Sequence, residues 1–223
     1  VNLDDNAHID AYLDSLGPVE LGPVGGNSSC VELRTPESLL VFDAGSGLRE
    51  LGLSLMKQEF GKGGGEVSIF LSHTHWDHIM GFPFFIPAFV PGNKITFYSC
   101  HDNLEDRFIY QQMPTHFPVP LTAMASVKKF VELKLGDTVK IGDAEVTPFE
   151  MFHPGGSYGY RVECGGSVFC YASDTEFKKA TGEHAAALEG ADVLVLDTMY
   201  TFDEMLAKTD WGHCSSMIGV DLC

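Results

Sequence analysis

Apolar positions along the chain follow two different rhythms. In the first half, short apolar runs alternate with one-faced helical patterns. Ser29–Leu33 and Leu39–Phe42 read as strands joined by a turn around Thr35-Pro36. Gly45-Ser46-Gly47 then opens Leu48–Phe60, where Leu48, Leu51, Leu55 and Met56 share one helical face. The Gly-rich stretch Gly61–Gly65 ends it. Val67–Leu71 is a continuous apolar run and reads as a buried strand leading into His73. Ile79–Phe89 predicts a helix broken by its prolines, Ile95–Ser99 a strand and Asn103–Gln111 a helix. Later the helical spacing gives way to short strands: Phe130–Leu135, Thr138–Ile141, Glu145–Phe152, Tyr158–Glu163 and Ser167–Ala172. Glycine turns such as Leu135-Gly136-Asp137 and Cys164-Gly165-Gly166 separate them. A helix over Glu183–Glu189, the apolar strand Val193–Leu196 and a helix over Ser215–Cys223 close the pattern. The first 27 residues are Gly/Pro/Asp-rich, with one short helical candidate, Ile9–Leu16. Strands and helices are mixed without strict β-α alternation. This predicts an α+β sandwich with helices outside two sheets, not a doubly wound parallel sheet.

Composition narrows the class. The 223 residues fall in the single-domain range of roughly 100–250 and are 44% hydrophobic, so one domain over 1–223 is expected. Asp plus Glu number 31 and Lys plus Arg 14, a net charge of −17. That charge disfavours long nucleic acid or an anionic membrane surface as partner, since both are polyanions. Small substrates remain open. The six Cys are scattered with no C-x-x-C pair, which reads as reduced thiols in a cytoplasmic setting. No stretch approaches the ~18–20 apolar residues of a membrane span. No signal peptide is visible at the start. The chain begins at Val1 and ends at Cys223 inside a helical pattern, so both ends are expected to be trimmed.

His73-Thr74-His75-Trp76-Asp77-His78 carries the sharpest chemistry. Four metal-capable side chains lie on a loop leaving a buried strand. His73 and His75 are two apart, so in an extended loop both point to one side and can bind one ion through imidazole nitrogen. Asp77 and His78 are adjacent and are expected to diverge, which favours a second ion beside the first. His153 follows the strand Glu145–Phe152, and Asp174 follows Ser167–Ala172. Strand ends from one sheet converge on one edge, where rigid elements hold ligands. Alone, these two would read as a turn His and a helix-capping Asp.

This set resembles the metallo-β-lactamase superfamily over nearly the whole chain: His-x-His-x-Asp-His at 73–78, then His153, Asp174 and a later His213. Phe42-Asp43-Ala44-Gly45 resembles its strand-end Asp-x-Gly. The subgroup it looks most like is the phosphodiesterase-type hydrolases related to ribonuclease Z. Gly25-Gly26-Asn27-Ser28-Ser29-Cys30, Phe117-Pro118-Val119-Pro120-Leu121, His153-Pro154-Gly155-Gly156, Tyr158-Gly159-Tyr160-Arg161 and Trp211-Gly212-His213 carry that likeness. The resemblance implies a four-layer αββα sandwich, here lacking its first and last strands. It implies two divalent ions, zinc first and Mn or Fe as alternatives. His73, His75 and His153 would hold one, and Asp77, His78 and Asp174 the other, with Asp174 bridging. Asp43 would support the loop without being a ligand. A final ligand of the subgroup would fall beyond Cys223. Lactam-hydrolysing members usually lack an Asp at the place of Asp174, so no antibiotic-degrading role is expected.

The implied activity is hydrolysis, with water activated between the ions. Asp77 would orient it, and His213 would protonate the leaving alkoxide. Two ions bring about +4 of local charge and can draw a phosphodiester into an acidic protein. Only 20 residues separate His153 from Asp174, too few for the tRNA-binding arm of related members. A small, cyclic phosphodiester is therefore the first expectation. An ester or thioester hydrolase is the second, and a non-catalytic metal-sensing domain of a signalling protein the third. The interval from His78 to His153 should supply substrate walls. His116 in it is either a substrate contact or a surface-loop histidine. Trp76 is either pocket wall or core. Phe82, Phe84, Phe85 and Phe89 form an apolar stripe read as core or the face of a homodimer. His8, His101 and His184 are read as solvated, and Cys170 and Cys214 as small core residues.

Overall fold

The computed structural model describes residues 5–16, 26–177 and 183–222. Gly25, Cys223 and the side chain of His184, all used above, lie outside the described residues. Helix α1 (Asn6–Ser15) starts where the Asp5 side chain accepts from the Ala7 N–H. Strands β1 (Val31–Arg34) and β2 (Leu39–Phe42) precede α2 (Gly47–Leu55) and β3 (Glu66–Phe70). After a one-turn helix α3 (Trp76–Ile79) come β4 (Lys94–Ser99), α4 (Leu104–Gln111) and β5 (Val127–Glu132). Then follow β6 (Val139–Ile141), β7 (Ala144–Met151), β8 (Ser157–Cys164) and β9 (Ser167–Ala172). Helix α5 (Glu183–Leu188), β10 (Val193–Leu196), α6 (Phe202–Ala207) and α7 (Ser216–Leu222) complete the described elements.

The strands form two five-stranded sheets, in the orders β1-β2-β3-β4-β5 and β10-β9-β8-β7-β6. Each is mixed: β1 runs antiparallel to an otherwise parallel sheet, and β10 runs parallel to β9 at the edge of an antiparallel one. Side-chain alternation along the strands builds the layers. Leu40 and Phe42 face the second sheet, while Val41 between them faces the helices. Phe70 and Tyr98 face inward, and their neighbours Ile69 and Phe97 face outward onto Leu48, Leu55, Phe82 and Phe108. In β9, Tyr171 enters the core between the sheets, and Cys170 and Ala172 pack outward against Leu188, Ile218 and Leu222. Three apolar seams thus separate four layers, the expected αββα α+β sandwich. Each fully buried Phe in these seams contributes about 1.5–3 kcal/mol of transfer free energy.

The strand register departs from the sequence pattern mainly at β5, which begins and ends three residues earlier than the apolar run suggests. Ile79–Phe89 is not one broken helix. Only Ile79 belongs to α3, and Phe82–Phe84 and Ile86–Phe89 are separate 3-10 turns. Pro83 and Pro87 sit in the first turn of each, where a missing N–H costs nothing. The Phe stripe splits accordingly: Phe82 and Phe85 are core, while Phe84 and Phe89 are exposed. Helix α6 has no counterpart in the sequence reading, although Thr201 and Glu204 form a capping box at its start. His101 is a correction. It is buried, not solvated, with its ring against Tyr158 at 5.0 Å. Local polarity misleads there because the cover comes from β8, distant in sequence. Cys170 and Cys214 are core, and the five described cysteines are free thiols. Among the described residues no helix is long and apolar enough to cross a membrane.

Candidate metal centre

Five strands deliver polar residues within one to three positions of their ends. Asp43 follows β2, His73 follows β3, His153 follows β7, Asp174 follows β9 and Asp197 follows β10. Asp43 organises the wall of the site. Its backbone sits at φ 61°, and its carboxylate lies fully buried between the sheets. It accepts from the Ser72 N–H, the Ser72 hydroxyl, the Tyr171 hydroxyl and His78 Nδ1–H, each at 2.7 Å. Four donors satisfy both carboxylate oxygens, which is what keeps a buried charge tolerable.

The same network fixes the histidine tautomers. The Ser72 hydroxyl donates to Asp43 and so accepts from His73 Nδ1–H at 3.0 Å. His78 Nδ1–H donates to Asp43. His153 Nδ1–H donates to the Gly212 carbonyl at 3.0 Å. His213 Nδ1–H donates to Asp197 at 2.7 Å. In all four rings Nδ1 holds a proton; in His73, His153 and His213 the lone pair rests on Nε2, while His78 also donates from Nε2–H to Asp174. Gly212 has φ 83°, and a Cβ there would lie 2.3 Å from His153 Nδ1. Only glycine allows this approach.

The free nitrogens face one another. His73 Nε2 lies 2.9 Å from His75 Nδ1, which lies 3.2 Å from His153 Nε2. His78 Nε2 lies 3.2 Å from Asp174 Oδ2, and His73 Nε2 lies 3.8 Å from the same oxygen. Three groups have ligand atoms mutually within 4.8 Å: His73-His75-His153, His73-His78-Asp174 and His153-Asp174-His213. Asp174 belongs to two of them. Imidazole nitrogens around a tetrahedral zinc at ~2.0–2.1 Å would stand about 3.3 Å apart. The observed spacings approach that value, and an all-nitrogen-and-oxygen set with lone pairs converging fits a divalent cation.

Electrostatics give the same picture. Burial, followed by the neighbouring His78, lowers His73 to about 2, so it stays neutral and able to ligate. Burial and His153 lower His75 as well. Burial opposes charge on His78, but hydrogen bonds to Asp174 and Asp43 outweigh it and raise His78 to about 10. Burial likewise opposes charge on Asp174, yet His78 holds its carboxyl well below the usual range. A cation would take over the role His78 has here as counter-charge.

Asp77 stands apart. Its side chain is 61% exposed and joins none of the three groups, though Oδ2 lies 3.4 Å from His78 Nε2. Asp77 and His78 do not diverge as an extended loop would require, because the chain turns helical at Trp76. His213 lies among ligand atoms, which its reading as a proton donor alone did not foresee. Asp197 was missed altogether, although it follows a strand as His153 and Asp174 do. Trp76 is 59% exposed and is not core, and exposed His116 stands 6.2 Å from its ring.

A four-layer sandwich with His and Asp converging on one edge of both sheets defines a metallo-hydrolase scaffold. The model of the Beta-lactamase superfamily domain matches residues 39–221, and the chain belongs to that superfamily. Its members are mostly metal-dependent hydrolases, and their fold generally binds divalent metal, often zinc. The fold is similar to that of the metallo-beta-lactamase fold protein YhfI from Bacillus subtilis, at 19% identity and a TM-score of 0.66, over 90% of this chain and 74% of that one. It is also similar to human tRNase Z, short form, at 20% identity and 0.66, over 90% and 82% of the two chains. Unliganded yeast PDE1 matches at 14% identity and 0.62, over 90% and 78%. No curated protein sequence matches.

Proposed function

We propose that this chain is a dinuclear, metal-dependent phosphodiesterase acting on a small, cyclic phosphodiester in the cytoplasm, with zinc as the first candidate metal. The observation that carries the reading is the sharing of Asp174 between the His73-His78 group and the His153-His213 group. One carboxylate common to two clusters suits two ions side by side. On this reading His73, His75 and His153 hold one ion and His78 the other, with Asp174 reaching both and Asp77 beside the second. Asp43 supports the loop.

Bound divalent ions would polarise the phosphoryl group and make water acidic enough to attack near neutral pH. The chain's own residues do the rest. Asp77, exposed at the mouth, accepts a proton from the incoming water and aims it. His213 Nε2 faces the cluster while its Nδ1–H is anchored on Asp197. Asp197 therefore favours the imidazolium that can protonate the leaving alkoxide. Burial raises Asp197 itself, and His213 works against that rise. The net charge of −17 favours a small substrate over long nucleic acid. The fold likeness to a tRNase Z is consistent with phosphodiester chemistry.

The test compares turnover of bis(p-nitrophenyl) phosphate with that of an aryl thioester by the zinc-loaded chain. Diester turnover exceeding thioester turnover is expected. Thioester turnover without diester turnover would replace this reading with a thioesterase.

A further inference from the structure

Beside the metal loop lies a cavity of about 340 Å³. Residues of one segment serve both sites: His73, His75 and His78 face the centre, while Trp76 and Ile79 line the cavity. Tyr110, Gln111, His116 and Arg107 close it from α4 and the loop beyond. Its floor is buried, with Ile79 at 5% and Gln111 at 4% exposure. Its rim is aromatic and unpacked: Trp76 is 59% and Tyr110 68% exposed. His116 stands 6.2 Å from the Trp76 ring and 6.3 Å from the Tyr110 ring. Large rings grouped this exposed around one cavity form a surface that can receive a flat ligand.

Two further features narrow the ligand. Gln111 Nε2 donates to the Ile79 carbonyl at 2.7 Å, which assigns the other amide atom as oxygen. That oxygen is buried and has no hydrogen-bond partner among the described residues. It lies beneath the cavity surface, so a ligand donor meets it only when the Gln111 side chain shifts toward the cavity, and then recovers the free energy an unpaired buried acceptor costs. Arg107 is held rigidly, donating from Nη1 to the Thr74 hydroxyl at 2.8 Å and from Nε to the Asp102 carbonyl at 3.0 Å. A fixed guanidinium offers a flat cationic face for stacking.

We propose that this cavity binds the base of the substrate: a planar nitrogen heterocycle, stacked among Trp76, Tyr110 and His116, with an N–H donating to Gln111 Oε1. The proposal deepens the phosphodiesterase reading by naming a nucleoside cyclic phosphate as the substrate class. It makes Gln111 and the aromatic rim specificity-determining residues, separate from the groups that hold metal. Base–aromatic stacking tolerates different bases, and Gln111 adds a preference for those with an N–H at its oxygen.

The experiment has two arms on the zinc-loaded chain. The first measures binding of adenosine, which carries no phosphate, by titration calorimetry to wild type, Trp76→Ala and Gln111→Glu. Saturable binding weakened roughly tenfold or more by Trp76→Ala is expected. Gln111→Glu should weaken it less; because it also removes the donor to the Ile79 carbonyl, its circular dichroism spectrum and thermal unfolding are compared with wild type. The second arm compares kcat/KM for an adenosine cyclic phosphate with that for the cyclic phosphate of ribose lacking a base. Wild type should prefer the former at least tenfold, and Trp76→Ala should lose most of that ratio. Absence of adenosine binding, or binding unaffected by Trp76→Ala, overturns the pocket assignment. An equal kcat/KM for the two cyclic phosphates also overturns it while leaving the phosphodiesterase reading intact. Adenosine binding without turnover of either phosphate keeps the pocket and removes the phosphodiesterase reading.

Discussion

The two walls of the metal centre are built differently. On the side of β2 and β3, His73 and His78 are almost wholly buried and stand on Asp43, whose carboxylate gathers four donors. On the other side, His75 and Asp77 are exposed. There His153 rests on a single backbone carbonyl, that of Gly212. The first wall is part of the core between the sheets. The second is a set of loops brought together at the mouth. Substitutions in the first should therefore cost stability and metal together, while substitutions at the mouth should cost metal more than stability.

Asp43→Ala tests the buried wall most severely. It strands the Ser72 hydroxyl, the Tyr171 hydroxyl and His78 Nδ1–H in a dry interior. Denaturant unfolding should show a loss on the order of 3–5 kcal/mol. A loss below about 1 kcal/mol would mean that Asp43 does not organise this wall.

Acid should loosen the same wall through His101, which packs behind the loop at Ser72. Burial, then Arg107, lowers His101 from 6.5 to about 4. The unfolded chain therefore takes up a proton at a higher pH than the folded chain does. Stability contributed by neutral His101 is intact above pH 6.5 and is lost as pH falls toward 4, by up to about 3 kcal/mol. His101→Phe should flatten that part of the stability–pH curve. An unchanged slope would show that His101 does not carry it.

Gly212→Ala sharpens the contrast at the mouth. The new methyl would meet His153 Nδ1 at a backbone angle that L-residues avoid. A stability loss of about 1–2 kcal/mol is expected, with a larger fractional loss of metal affinity. His75→Ala is the mildest case for folding. It should change unfolding free energy by less than about 0.5 kcal/mol yet weaken metal binding, read by calorimetry. A large stability loss in the metal-free His75→Ala chain would erase the distinction between the walls.

Much of this architecture is legible in the chain. Leu39–Phe42, Ser167–Ala172 and Val193–Leu196 are strands at the bounds their apolar runs suggest. The idea that ligands follow strand ends brought His73, His153 and Asp174 together on one edge. The same rule applied after Val193–Leu196 leads to Asp197, and only its ordinary surroundings hid it. His101 was illegible because its burial depends on Tyr158, remote in sequence. The direction of Asp77 depended on a single helical turn too short to leave a periodic trace. Helix α6 was legible in principle, through the Thr201–Glu204 spacing rather than through apolar periodicity.

The central claim is that Asp174 ties together two ion sites that work as one. It is tested most directly by titrating the chelator-stripped chain with zinc while following bis(p-nitrophenyl) phosphate hydrolysis. The account predicts no turnover without metal and a plateau reached only as the second equivalent binds. A plateau at one equivalent, or turnover that survives complete removal of metal, would contradict it.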